Sequence, residues 1–279
     1  MFHSRTFYYR NMSKYTYTNN QIKNVLLRLS YPTILKIDTE PPVAFQEEVK
    51  NSFPEYQVSG QQKNEIVLPG QLNALPVMKV EKSRLHTFSE ESADVARAAG
   101  ISGGNGGQIS LSNEELILRF SRYSTWSEFK GHAENIVRAF LKIYQPALFK
   151  QISLRYINIF NRKDLDLESH NWSELFTDKI AGYFINCDED KVGSYNQEIV
   201  MQLDDAKEHL ARYKHLLGRV RGETETCFIL DAEYMTAKPC APSRGMNELE
   251  ALHGFAENII ERCASKLLRE KLGEVEQHE

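Results

Sequence analysis

The chain has 279 residues, of which 41% are hydrophobic and 26% charged, an ordinary globular composition long enough for one large core or two modest ones. A formal charge of -4 and a pI near 6.1 disfavour sequence-independent nucleic-acid binding, which draws on a basic face. No run approaches the ~18 apolar residues of a membrane span, and the four cysteines (Cys187, Cys227, Cys240, Cys263) are scattered without a CxxC, as expected of reduced thiols in a cytoplasmic protein.

Residues 1–20 read as a polar, tyrosine-rich extension with no apolar h-region. A strand is expected at 23–31, then a short helix around 41–52, where proline suits the first turn and Pro54 ends it. Strands near 56–59, 65–69 and 76–80, a short helix at "SADVARAAG" and a hairpin over 84–120 come next. The run Gly103-Gly104-Asn105-Gly106-Gly107 invites comparison with a phosphate-binding loop. It lacks GK[ST] or GxGxxG spacing, and it leads into "QISLSNEELILRF", whose alternation around "SNEE" is a hairpin and not a helix start. It is read as a connector.

"STWSEFKGHAENIVRAFLKIYQP" carries Trp126, Phe129, Ala133, Ile136, Val137, Phe140, Leu141 and Tyr144 at three- and four-residue steps, one stripe of an amphipathic helix capped by Ser124 or Thr125. Beyond Pro146, a strand is expected at 149–160, a weaker helix at 171–177, and strands near 181–186, 196–203, 213–221 and 226–236. A final helix over 248–271 has Asn247 as cap and Gly273 at its end.

Parts of this order recur. AENI stands at 133–136 and 256–259, each two residues after a glycine, Gly131 and Gly254. "NVLLRLSYP" resembles "QISLRYINI", and "EELILRFSRY" resembles "TCFILDAEYM". The expected fold class is α+β: a tandem duplication of β-α-β(4)-α units, each a twisted antiparallel sheet with its long helix packed on one face. The units would span 21–146 and 147–273, followed by a charged tail, 274–279. That element order is similar to the TATA-binding-protein-like and helix-grip folds.

The most distinctive polar pattern lies on the strands of the second half. In "ISLRYINIFNR", Arg155 alternates with apolar residues, and "FILDAEYM" offers Asp231 and Glu233 at alternating positions. If those strands are neighbours, Arg155 pairs with a carboxylate across the ladder. Arg155, Asn158, Asp231 and Glu233 are therefore candidate binding residues on an open sheet face. The matching positions in the first half are Arg28 and Arg119, with no carboxylate, so the two faces would differ in sign.

His253 and Glu257, at i and i+4 on the last helix, are too few ligands for a zinc site. "CDEDK" (187–191) lacks the spacing of a calcium loop and reads as a solvated turn. "DLDLESH" suits an exposed strand or loop. GxSxG, HExxH and a cysteine with a local histidine motif are all missing. No metal or cofactor is expected, and the reading leans away from an enzyme.

"PPVAFQEEVKNSFPEY", "SLRYINIF", "CFILDAEYM" and "LEALHGFAENIIERCASKLLREKLG" together resemble a sporadically distributed bacterial family of about this length, without an assigned function, marked by an LRYIN strand. The matching positions include Phe45, Gln46, Phe53, Pro54, Leu154, Arg155, Tyr156, Ile157, Asn158, Leu230, Asp231, Leu252 and His253; Val49-Lys50 departs from the pattern. The resemblance implies no catalytic residues. A scattered distribution implies a defence-related setting, such as an antitoxin or antiphage accessory component.

The expected function is that of a non-catalytic cytoplasmic protein acting through protein–protein contacts, with a homo-oligomer compatible with it. One alternative is a small-molecule binder or enzyme using a cavity between helix and sheet. A weaker one is nucleic-acid binding through Arg28 and Arg119.

Overall fold

A computed structural model describes residues 15–67, 77–90, 106–184, 187–219 and 225–276. In chain order these form β1 (Tyr15–Tyr17), β2 (Ile22–Ser30), α1 (Leu35–Thr39), α2 (Val43–Val49), β3 (Glu55–Val67), β4 (Val77–Ser89), β5 (Gly107–Leu111), β6 (Glu115–Phe120) and α3 (Trp126–Tyr144). Then come β7 (Gln151–Phe160), α4 (Trp172–Leu175), α5 (Asp178–Ala181), β8 (Asn196–Gln202), β9 (His209–Gly218) and β10 (Cys227–Thr236). The chain continues through α6 (Gly245–Ala256), α7 (Ile259–Cys263), α8 (Lys266–Lys271) and β11 (Glu274–Glu276). The architecture is mixed α+β with antiparallel sheet.

The chain divides into two compact units, one made of Leu27–Lys150 with Cys240–Ser243, the other of Met1–Leu26, Gln151–Pro239 and Arg244–Glu279. In the first, the strand order runs β3-β4-β5-β6, with the later residues of β2 beside β6. The expected hairpin forms, Gly107 facing Phe120 and Leu111 facing Leu116. The strands expected separately at 56–59 and 65–69 are one continuous strand, β3, paired along its length with β4. Residues 92–100, 103–105 and 68–69 of the expected elements lie outside the described residues.

The stripe of α3 does what its spacing predicts. Phe129, Ala133, Ile136, Val137 and Phe140 are buried, Phe129 packs edge-on against Phe120 of β6, and Phe140 lies 4.8 Å from Tyr31. Thr125 caps the helix by accepting from the Glu128 N–H. Tyr31 donates its hydroxyl to the Ser112 carbonyl at 2.8 Å, so its ring is buried without stranding its oxygen. His86, also buried, ties α1 to β3: one ring nitrogen meets the Ile37 carbonyl at 2.9 Å and the other the Tyr56 hydroxyl at 2.8 Å.

In the second unit the order is β7-β10-β9-β8, so β7, first of these four in the chain, lies beside the last, β10. Trp172, Phe160, Phe176, Phe184 and Phe228 gather into one aromatic cluster with Cys263 and Leu268, and burial pushes the Cys263 thiol up to about 12. Leu249, Leu252 and Ala256 of α6 are buried, with that helix packed on β7 and β10.

Two expectations fail in this unit. Residues 181–184 are the end of α5 and a turn, not a strand; 185–186 lie outside the described residues. The final helix is three pieces. Ala264 is extended and bridges Phe176, the Cys263 carbonyl accepts from the Thr177 N–H at 2.8 Å, and Ser265 donates its N–H to the Leu175 carbonyl at 2.9 Å. Backbone groups that a straight helix would bond internally are used by α4 and the segment after it. Ser265 then caps α8.

"CDEDK" is also less solvated than expected. Glu189 is nearly buried, accepts from the Trp172 and Ser173 N–H groups at 2.9 and 3.1 Å, and lies 3.7 Å from Arg162. It anchors the start of α4 from a distance of sixteen residues and more.

Candidate protein-interaction surface

The register of β7, β10, β9 and β8 decides which side chains share a face. Glu233 faces Arg155 on one side and Arg212 on the other; Asp231 faces Ile157 and Lys214; Lys214 in turn faces Glu198. Since alternate residues point to the same side, Arg155, Asp231, Glu233, Arg212, Lys214 and Glu198 lie on one face. Ile157, Ile159, Ile229 and Leu216, half-buried, complete it. The opposite face carries Leu154, Tyr156, Leu230 and Tyr234, packed beneath helix: the Tyr156 hydroxyl is 3.0 Å from His253 Nδ1.

Arg155 grips Asp231 with two guanidinium nitrogens, Nε at 2.6 Å and the second contact through Nη2. The Asp231 side chain is 10% exposed and that of Arg155 38%. Hydrogen bonding to Asp231 outweighs desolvation and holds the guanidinium more firmly protonated than usual. Glu233 takes Arg212 at 3.3 Å, and Glu198 receives Arg212 at 3.5 Å and Lys214 at 3.1 Å. The result is a ladder of alternating charge across four strands, partly open to water, with every carboxylate held by a cation.

Of the residues expected here, Arg155, Asp231 and Glu233 are brought together. Asn158 is not: it is buried on the other face, its amide 3.5 Å from the Leu230 carbonyl. Arg28 and Arg119 belong to the first unit, and Arg28 has a carboxylate after all, Glu115 of β6, which the sequence places in a turn. Arg28 is therefore charge-compensated, with its side chain still 42% exposed. Arg212, Lys214 and Glu198 were not among the expected residues. Their signal is the period-two alternation of "HLARYKHLLG" and "NQEIVMQ".

β8 ends the strand order, and all seven of its residues are exposed. Ile199, Val200 and Met201 show 38%, 57% and 36% of their surface. Beside the start of this strand a cleft of about 570 Å³ opens, lined by Tyr183, Cys187, Lys191, Val192 and Tyr195 among others. It is formed by a loop and not by the space between a long helix and the sheet.

The remaining polar clusters are internal ties. His253 Nε2 lies 3.4 Å from Glu257, whose carboxyl is raised above its ordinary value by burial and by Glu250. His209 joins Asp204 to Glu248, the latter at 3.0 Å, and Arg244 reaches Glu248 at 2.5 Å. Burial pushes the Asp204 carboxyl up, but the Glu208 N–H and His209 hold it below its ordinary value. No group of three or more metal-ligating side chains occurs among the described residues, and none of their helices is long and apolar enough to cross a membrane. No protein-family model and no curated protein matches the chain.

Proposed function

We propose that the protein is a non-catalytic cytoplasmic binding protein that holds a protein partner on the outer face of the β7-β10-β9-β8 sheet. The observation that carries this reading is the charge ladder itself. A row of paired charges, in which part-exposed Arg155, Arg212, Lys214 and Glu198 stand beside nearly buried Asp231 and Glu233, flanked by half-buried isoleucines, offers both apolar contact and fixed hydrogen-bonding groups, the mixture a protein surface can complement. Arg155 and Arg212 are suited to the central contacts, since the carboxylates of the ladder meet only two of the three nitrogens of each guanidinium, leaving further N–H donors. The resemblance to the scattered bacterial family supports a place in defence against phage or in toxin neutralisation.

A duplicated ancestry fits the strand orders: β7 lies beside β10 as β2 lies beside β6, each first strand returning next to the last strand before a helix, α3 in one case and α6 in the other. In this reading only the second copy carries the ladder, and the first supplies a scaffold.

The test is affinity purification of the tagged chain from native cells, wild type against Arg212→Glu with Lys214→Glu. A stoichiometric protein retained by the first and lost from the second supports the reading. Equal retention by both, with the variant folded, removes the sheet face from it.

A further inference from the structure

We infer that β8 is a self-pairing edge, through which two copies of the chain join their second-unit sheets in an antiparallel, two-fold arrangement. The inference stands apart from the partner proposed above, because it uses the backbone edge of the sheet and leaves the charged face open.

The hydrogen-bond phase of β8 is fixed by its ends. Leu217 donates to the Tyr195 carbonyl at 3.1 Å, and Leu203 donates to the His209 carbonyl at 3.0 Å. In an antiparallel ladder bonded pairs alternate with unbonded ones, so odd-numbered residues from 195 to 203 bond to β9. The N–H and C=O groups of Asn196, Glu198, Val200 and Gln202 then face away from β9, along the side where the strand order ends.

Such an edge is normally blunted by lysine, proline, a bulge or an inward-pointing charge. "NQEIVMQ" has none of these. Its single charge, Glu198, is already neutralised by Arg212 and Lys214 of the adjacent strand. At its centre stand three exposed apolar residues, Ile199, Val200 and Met201.

The sequence is also complementary to itself. Centring the two-fold axis on Ile199 overlaps all seven residues, pairs Asn196 with Gln202 and Glu198 with Val200, and puts each outward N–H opposite an outward carbonyl. Gln197 then faces Met201, and the two Ile199 side chains meet on the axis. No like charges face each other, whereas a shift that centres on Glu198 would oppose two carboxylates. A second copy of this strand thus satisfies the edge in full, and the joined sheets carry the charge ladder twice.

Three measurements decide it. Light scattering over a concentration series should give a mass rising from 32.2 kDa toward twice that value. Val200→Pro removes one outward N–H while sparing every bond to β9, because proline is tolerated where its nitrogen faces away from the ladder; this variant should stay at the single-chain mass with an unchanged circular dichroism spectrum. Val200→Lys serves the same purpose should the proline disturb folding. Ile199→Cys should form an inter-chain disulfide on mild oxidation, since facing unbonded residues lie about 4.5 Å apart; peptide mass spectrometry separates that link from any at Cys187 or Cys240. A single-chain mass at every concentration, a dimer indifferent to Val200→Pro and Val200→Lys, or a dimer without the Ile199→Cys link each overturns the inference. A monomer that still retains a partner in the purification above would sink this proposal and leave the earlier one standing.

Discussion

Removing the two members of the Arg155–Asp231 pair one at a time should give unequal losses of stability, with the arginine the more costly. In Arg155→Ala the carboxylate of Asp231, 10% exposed, loses both guanidinium contacts and gains little water. Stripping one partner from a fully buried pair costs about 3–5 kcal/mol; with Arg155 itself 38% exposed, solvent enters the vacated space and the expected loss is about 2–3 kcal/mol. In Asp231→Ala the guanidinium is nearer to water and has Glu233 directly across the ladder, so the loss should be about 1 kcal/mol. Urea unfolding of the wild type, both single variants and the double variant gives these numbers, and the coupling energy from the cycle should be about 1 kcal/mol. A loss in Asp231→Ala equal to or larger than that in Arg155→Ala would refute the reasoning that burial, and not the number of hydrogen bonds, sets the cost.

Other consequences are as direct. His215 is buried on β9, neither ring nitrogen has a partner among the described residues, and burial lowers its pKa to about 4 from 6.5. Because the unfolded chain takes up this proton first, stability should fall by about 3 kcal/mol as pH drops from 6.5 to about 4; His215→Leu should flatten that window in pH-dependent unfolding, and parallel curves would contradict the assignment. Phe140→Ala, which empties a fully buried site against Tyr31, should cost about 3–5 kcal/mol in urea melts, while Trp126→Ala at the half-exposed start of the same helix should cost well under half as much. Gly131→Ala, inside α3 with open space around its added methyl, should raise stability by about 0.5–1 kcal/mol. Gly106→Ala should lower it by about 1–2 kcal/mol, since Gly106 has φ of 64° and its new methyl would sit 2.0 Å from Ser121 Oγ; calorimetry reads both signs at once.

How far the sequence could be read depended on whether a signal was local. The α3 stripe and the 107–120 hairpin were legible because periodicity and turn chemistry act within a few residues, and nothing distant opposes them. The tetrapeptide AENI shows the limit. At 133–136 it is mid-helix; at 256–259 it spans the end of α6 and the start of α7, where Asn258 leaves the helical conformation and Arg262 Nη2 donates to the Phe255 carbonyl at 3.4 Å. Ser265 ahead of Lys266-Leu267-Leu268 was the available hint of a new helix start. The apolar run near 181–186 was too short for its period to separate strand from helix.

The ladder was half legible. Alternation identified Arg155, Asp231 and Glu233, and strict parity along β7 would have set Asn158 on the opposite face, where it lies. Arg212, Lys214 and Glu198 needed the β8–β9 register, which depends on a loop and its latch at Asp204 and His209. Glu115 went unrecognised as the partner of Arg28 because it opens its strand directly after the turn.

Chemical cross-linking of the natively purified complex, read by mass spectrometry, tests the central claim most directly, because Lys214 places a reactive amine within the ladder. The account predicts links from Lys214 to a stoichiometric protein partner. A chain that purifies without such a partner, or one whose links arise only from the first unit, would contradict it.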